Sequence, residues 1–156
     1  MTILSQIAKQ IRDLYFGGNW TDVNFKSSVS GLTWQEATKK IYGLNTIAIL
    51  IYHTNYYIEA VLKVLKGGPL DAHDKFSFEL PPIHTQNDWD KLLQKTFNNA
   101  EELATQTELL PERELFETFC DEKYGNYYRN LTGIIEHSHY HLGQIIIIKK
   151  IIKSSE

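Results

Sequence analysis

A chain of 156 residues that is 42% hydrophobic, 22% charged and 12% aromatic has globular composition, not that of a disordered or collagen-like chain. That length predicts one domain over residues 1–156, large enough to bury a core without disulfide staples. A net charge of -3 leaves no electrostatic footprint for nucleic acid, and no apolar run approaches the roughly 20 residues of a membrane span, so neither is an expected partner.

Three turn-rich stretches, Gly17 to Gly31, Gly67 to Pro82 and Pro111 to Asn126, leave four helical segments between them. The pattern predicts an all-α four-helix bundle with long inter-helix connections. The first helix runs from about Thr2 to Phe16, with Ile3, Ile7, Ile11 and Leu14 spaced as one apolar stripe. Thr33-Trp34-Gln35-Glu36 reads as a capping box that opens a second helix reaching about Lys66, where Gly67-Gly68 supplies a left-handed stop. Along it Ile41, Leu44, Ala48, Ile51, Ile58, Leu62 and Leu65 form one stripe. The adjoining stripe of Asn45, Ile49, His53, Tyr56, Ala60 and Val64 carries a histidine.

In the connection that follows, Phe76-Ser77-Phe78-Glu79-Leu80 reads as extended chain over one end of the bundle. Thr85 with Asp88 three residues on marks the start of a third helix, which continues through Leu92, Leu93, Phe97, Ala100 and Leu103 to about Thr107. A fourth runs from about Asn126 to Lys153, its core face taking Leu131, Ile134, His137, His141, Ile145, Ile148 and Ile152. Lys149, Lys150 and Lys153 at its end suit the helix macrodipole. The run Ile145 to Ile148, followed by Ile151 and Ile152, puts apolar residues on more than one face. Burial under the first helix or a homodimer would cover them.

An i, i+4 pair turns through about 400° and climbs about 6 Å, so His137 and His141 stack on one helix face within reach of a single ion. His53 also falls on an inward position. Three unpaired imidazoles in one core would be costly, and a divalent cation resolves the cost because neutral imidazole is a good ligand for Zn, Ni, Fe or Cu. His139 is rotated about 200° from His137 and faces away. His73 and His84 fall in loops, where one of them could supply a distant fourth ligand, although no spacing ties either to the site. Gln144 shares the face of His141 and can support it or simply complete the core. Tyr52, Tyr56, Tyr57, Tyr140 and Trp20 are candidate pocket lining, although each taken singly reads first as an ordinary core or interface aromatic.

Cys120 has no partner for an intrachain disulfide and is expected as a buried, inert thiol. With no apolar stretch in Met1 to Lys9 to act as a signal peptide, a cytoplasmic protein is expected. Glu101-Glu102 and Asp121-Glu122 are adjacent and diverge on a helix, which makes them solvated surface.

The string His137-Ser138-His139-Tyr140-His141-Leu142-Gly143-Gln144-Ile145 resembles the final-helix signature His-x-x-x-His-x-Gly-Gln of the DinB-like (YfiT-like) superfamily of four-helix bundles. Tyr52-His53 resembles that family's first ligand, and Phe16-Gly17-Gly18-Asn19-Trp20 its stretch after helix one. The resemblance implies that His53, His137 and His141 hold a metal ion with coordination left open for water or substrate. It also implies a place among transferases using low-molecular-weight thiols such as bacillithiol or mycothiol, a related isomerase, and proteins without an assigned reaction.

Ser138 follows His137 where a zinc protease would carry glutamate, and Glu136 lies about 100° off the ligand direction, which weakens hydrolysis. Thiol transfer escapes that gap, since metal binding itself favours the thiolate. The expected activity is thus a small-molecule S-transferase using a divalent ion, Zn or Ni, and a low-molecular-weight thiol. The alternatives are a non-catalytic, stress-related metal-binding bundle and, third, a metal-dependent hydrolase.

Overall fold

The computed structural model describes residues 2–154, which are all-helical, with no named strand and one isolated bridge between Thr118 and Asn126. Six α-helices occur among these residues: α1 (Ile3–Phe16), α2 (Phe25–Val29), α3 (Trp34–Ala37), α4 (Ile47–Leu65), α5 (Gln86–Leu109) and α6 (Tyr127–Ser154). Short 3-10 turns at Asp74–Phe78, Glu112–Glu114 and Glu122–Tyr124 lie in the connections.

The first helix buries Leu4, Ile7, Ala8, Ile11, Leu14 and Tyr15, so its apolar face is turned slightly from the expected stripe and Ile3 is 37% exposed. Thr2 caps it by accepting from the Ser5 amide. Tyr15 is fully buried, its ring stacked on Phe25 at 4.5 Å, which ties α2 to α1 inside a stretch read from sequence as turns alone.

The expected second helix from Thr33 to Lys66 is broken in two. The capping box at Thr33 and Glu36 is present, but it starts only the one-turn α3. Residues 38–46 leave the helix, Tyr42 takes a left-handed φ of 51°, and Thr46 opens α4 by accepting from the Ile49 amide. Ile41 and Leu44 continue the apolar period but sit off the helix, and Leu44 is 46% exposed. A second threonine cap, Thr46, three residues after Gly43 outweighed the stripe. The far end behaves as expected. Gly67, at φ 81°, donates to the Val64 carbonyl and Gly68 to that of Lys63, both at 2.8 Å. A side chain on Gly68 would press on the Lys63 carbonyl at 2.9 Å.

The α5 capping box at Thr85 and Asp88 forms as predicted, although the buried line of that helix is Trp89, Thr96, Ala100, Leu103, Ala104 and Thr107. Leu92, Leu93 and Phe97 are only partly covered. On α6 the face Leu131, Ile134, His141, Ile145, Ile148 and Ile152 is buried, together with Ser138 and Leu142. The Lys149 ammonium donates to the Ser28 carbonyl at 2.7 Å, and Lys153 pairs with Glu36, so the end of α6 is pinned to α2 and α3.

The long helices pack in a closed ring: α1 against α5, α5 against α4, α4 against α6 and α6 against α1. Arg12 strengthens the first of these contacts by donating to Glu101 at 2.9 Å and to Glu108 at 2.7 Å. No helix among the described residues is long and apolar enough to cross a membrane.

Candidate metal centre

The α4–α6 contact places His53 opposite His137 and His141, and the turn Asp74–Phe78 closes over α4 on the same side. That turn is where extended chain was expected at Phe76 to Leu80. Instead Ser77 donates to the Asp74 carbonyl at 2.6 Å and Phe76 donates its amide to the His73 carbonyl, which winds the segment up.

The three imidazoles meet through their Nε2 atoms. His53 Nε2 lies 3.0 Å and His141 Nε2 3.1 Å from His137 Nε2. The three side chains offer nitrogen ligand atoms within 4.8 Å of one another. His53 is 4% and His141 8% exposed, and His137 is half-buried at the edge of a cleft.

Their other nitrogens decide what the Nε2 atoms can offer. The Ser77 hydroxyl donates to the Asp74 carbonyl, so at 2.8 Å its oxygen accepts from His53 Nδ1–H. The Gln144 amide nitrogen donates to the Tyr140 hydroxyl at 3.2 Å, which turns its oxygen to accept from His141 Nδ1–H at 2.6 Å. Both rings therefore point an Nε2 lone pair at His137. A proton on His137 Nε2 satisfies one of the two and leaves the other. The His137 Nδ1 atom is itself buried with no hydrogen-bond partner among the described residues.

Such a donor set fits a cation that accepts every lone pair at once. Two nitrogens sharing one zinc ion at about 2.0–2.1 Å lie roughly 3.3 Å apart at a tetrahedral angle. The observed 3.0 and 3.1 Å are a few tenths shorter. Burial, then the neighbouring His141, pushes His53 down to about 4, against weaker opposition from Asp74 and Ser77. Burial, then His141 and His53, does the same to His137, also to about 4. Burial lowers His141 as well. The imidazoles are thus neutral near pH 7, the protonation state that ligates metals.

A cleft of about 900 Å³ opens beside His53 and His137. Tyr57, Val61, Leu70, Phe119 and Ile134 form its apolar wall, and Asp74, Lys123, Arg129 and Asn130 bring polar groups to it. The Tyr57 hydroxyl donates to Asp74 Oδ1 at 2.7 Å, and its ring meets His53 and His137 edge-on at 5.2 and 5.1 Å. Burial and the Asp74 carboxylate raise that phenol to about 12, so it keeps its proton.

Tyr56 stands outside the cleft and accepts the His73 amide at 2.8 Å. Tyr140 is 65% exposed, touching His141 edge-on at 4.9 Å. Trp20 is fully exposed outside the cleft, and Tyr52 is half-buried away from it. His139 stays outside the cluster, as expected, and neither His73 nor His84 joins it among the described residues. Glu136 is spent on Arg129 at 3.2 Å on the surface. Cys120, expected buried, is exposed: its neighbour Phe119 takes the inward position.

Asp74, Ser77 and Phe78 were missed by the sequence reading. A five-residue 3-10 turn has no apolar period to reveal which way its side chains face.

Compared with protein-family models, curated proteins and solved structures, the chain matches none.

Proposed function

We propose that the chain is a DinB-like (YfiT-like) four-helix bundle whose His53, His137 and His141 hold one divalent ion, Zn or Ni. Within that class, the reading we favour is an S-transferase that joins a low-molecular-weight thiol to an electrophilic small molecule in the adjoining cleft. The observation that carries it is the convergence of two preset imidazole lone pairs on a third ring, at 3.0 and 3.1 Å, at the edge of a cleft. The closed ring of long-helix contacts supports the bundle assignment.

A cation in this cluster supplies positive charge that favours a thiolate over a thiol. The protein's own groups do the rest. The apolar wall from Val61 to Ile134 excludes water from the electrophile, and Asp74, held at Oδ1 by Tyr57, can take the thiol proton on its other oxygen. The Tyr57 phenol fixes that carboxylate without losing its own proton.

Asp74 also favours a second reading, metal-dependent hydrolysis, because it brings to the cleft the carboxylate that Ser138 does not supply on the helix. Incubating zinc-loaded protein with bacillithiol, mycothiol or glutathione and chlorodinitrobenzene separates these readings. The transferase reading expects thioether formation that disappears in His53→Ala. Hydrolysis of nitrophenyl esters without thioether formation would replace it, and zinc uptake with neither activity would leave the stress-related binding bundle.

Ile145, Ile148 and Ile152 are buried within the chain, so the homodimer stays in the proposal only through the exposed Ile147 and Tyr140 on the outer side of α6. A molar mass by sedimentation that stays at one chain across protein concentrations would remove the dimer.

A further inference from the structure

Ser77 lies in a turn between helices, yet it is completely buried and its hydroxyl is bonded on both sides. The oxygen accepts from His53 Nδ1 at 2.8 Å, and its proton goes to the Asp74 carbonyl at 2.6 Å. With the proton committed to a carbonyl, which can only accept, Ser77 has only a lone pair to show the imidazole. The ring opposite must therefore carry its proton on Nδ1.

The same turn fixes the plane of that ring. Phe78 stacks on His53 with centroids 4.0 Å apart and planes 20° from parallel, while Tyr57 closes the edge at 5.2 Å. A 180° flip would keep the ring in that plane but present a carbon, not Nδ1, to Ser77. Without an acceptor at Nδ1, an imidazole has both tautomers open to it, and the Nε2–H form has no lone pair to offer His137 and His141.

We propose that Ser77 is a positioning residue of the histidine cluster: its hydroxyl sets His53 as the Nδ1–H tautomer and so directs the Nε2 lone pair into the space shared with His137 and His141. Ion binding then depends on a serine from a loop that contributes no ligand of its own. This consequence rests on the metal reading above, whereas the tautomer assignment does not.

The test uses protein labelled with 15N-histidine, with ion removed by chelator. Long-range proton–nitrogen correlation spectra read which nitrogen of each ring bears the proton. The ion-free wild type should show His53 as Nδ1–H, and finding it as Nε2–H would overturn the assignment without any variant. In Ser77→Ala, with unchanged helical circular dichroism, the Nε2–H form of His53 should appear. Zinc affinity, measured by competition with a chromogenic chelator, should weaken by about 10–100-fold. A role confined to packing would lower stability and leave the tautomer alone. An unchanged tautomer, or an unchanged zinc affinity, in Ser77→Ala overturns the proposal. Should the wild type take up no zinc at all, the metal reading falls, and the tautomer in the ion-free protein alone decides the role of Ser77.

Discussion

Acidifying the ion-free protein from about pH 7.5 to about pH 5 should destabilise it through the histidine cluster. His53 ordinarily titrates at 6.5 and is pushed down to about 4 in the folded chain. Between these values the unfolded state binds more protons than the folded one, so stability rises with pH. The contribution is complete above 6.5 and is lost as the pH falls toward 4. For this one ring the linkage amounts to about 2 kcal/mol at pH 5, and His137, lowered to about 4, adds loss in the same direction. Dividing by a urea dependence of about 2 kcal/mol per molar gives a fall of about 1 M or more in the unfolding midpoint. Carboxylates do not imitate this effect. Glu36, pulled down from 4.5 to about 2 mainly by Lys153 and Thr33, contributes stability that is lost only as pH falls below 4.5. The assay is urea unfolding followed by circular dichroism in the presence of chelator, with His53→Gln/His137→Gln as control. A midpoint that holds or rises on acidification, or a control that falls as far as the wild type, would refute the reasoning.

Cys120 should react with Ellman's reagent in the folded protein, releasing one thiolate per chain without denaturant, because its side chain is exposed. A reaction that waits for urea would contradict that placement. Ile51→Ala, at a fully buried α4 position, should cost about 2–5 kcal/mol in urea unfolding; a cost below about 1 kcal/mol would mean that the site is less tightly packed. Thr85→Ala should cost about 1 kcal/mol by removing the oxygen that accepts the Asp88 amide, and an unchanged midpoint would show that the cap contributes nothing.

How far the site was readable follows from which signals are periodic. His137 and His141 were legible as a pair because both lie in one uninterrupted helix, where spacing alone fixes the face. His53 was legible through its phase relative to Ile49 and Ala60, which holds wherever α4 begins. The start of α4 was not, because Ile41 and Leu44 prolong the apolar stripe beyond the helix while Thr46 and Gly43 end it, and the local cap won. Asp74 and Ser77 were hidden for a different reason. Their turn carries no repeat, and their role depends on how the connection from Gly67 to Thr85 folds back over α4, a tertiary fact with no local signature. The exposure of Cys120 likewise depended on which of two neighbours, Phe119 or Cys120, the loop turned inward.

Metal content tests the central claim most directly. Protein loaded with zinc, desalted and analysed by inductively coupled plasma mass spectrometry should carry one ion per chain. That ion should be lost in His53→Ala and in His141→Ala and kept in His139→Ala. A wild type that retains no ion, or a His53→Ala variant that keeps it, would contradict the account.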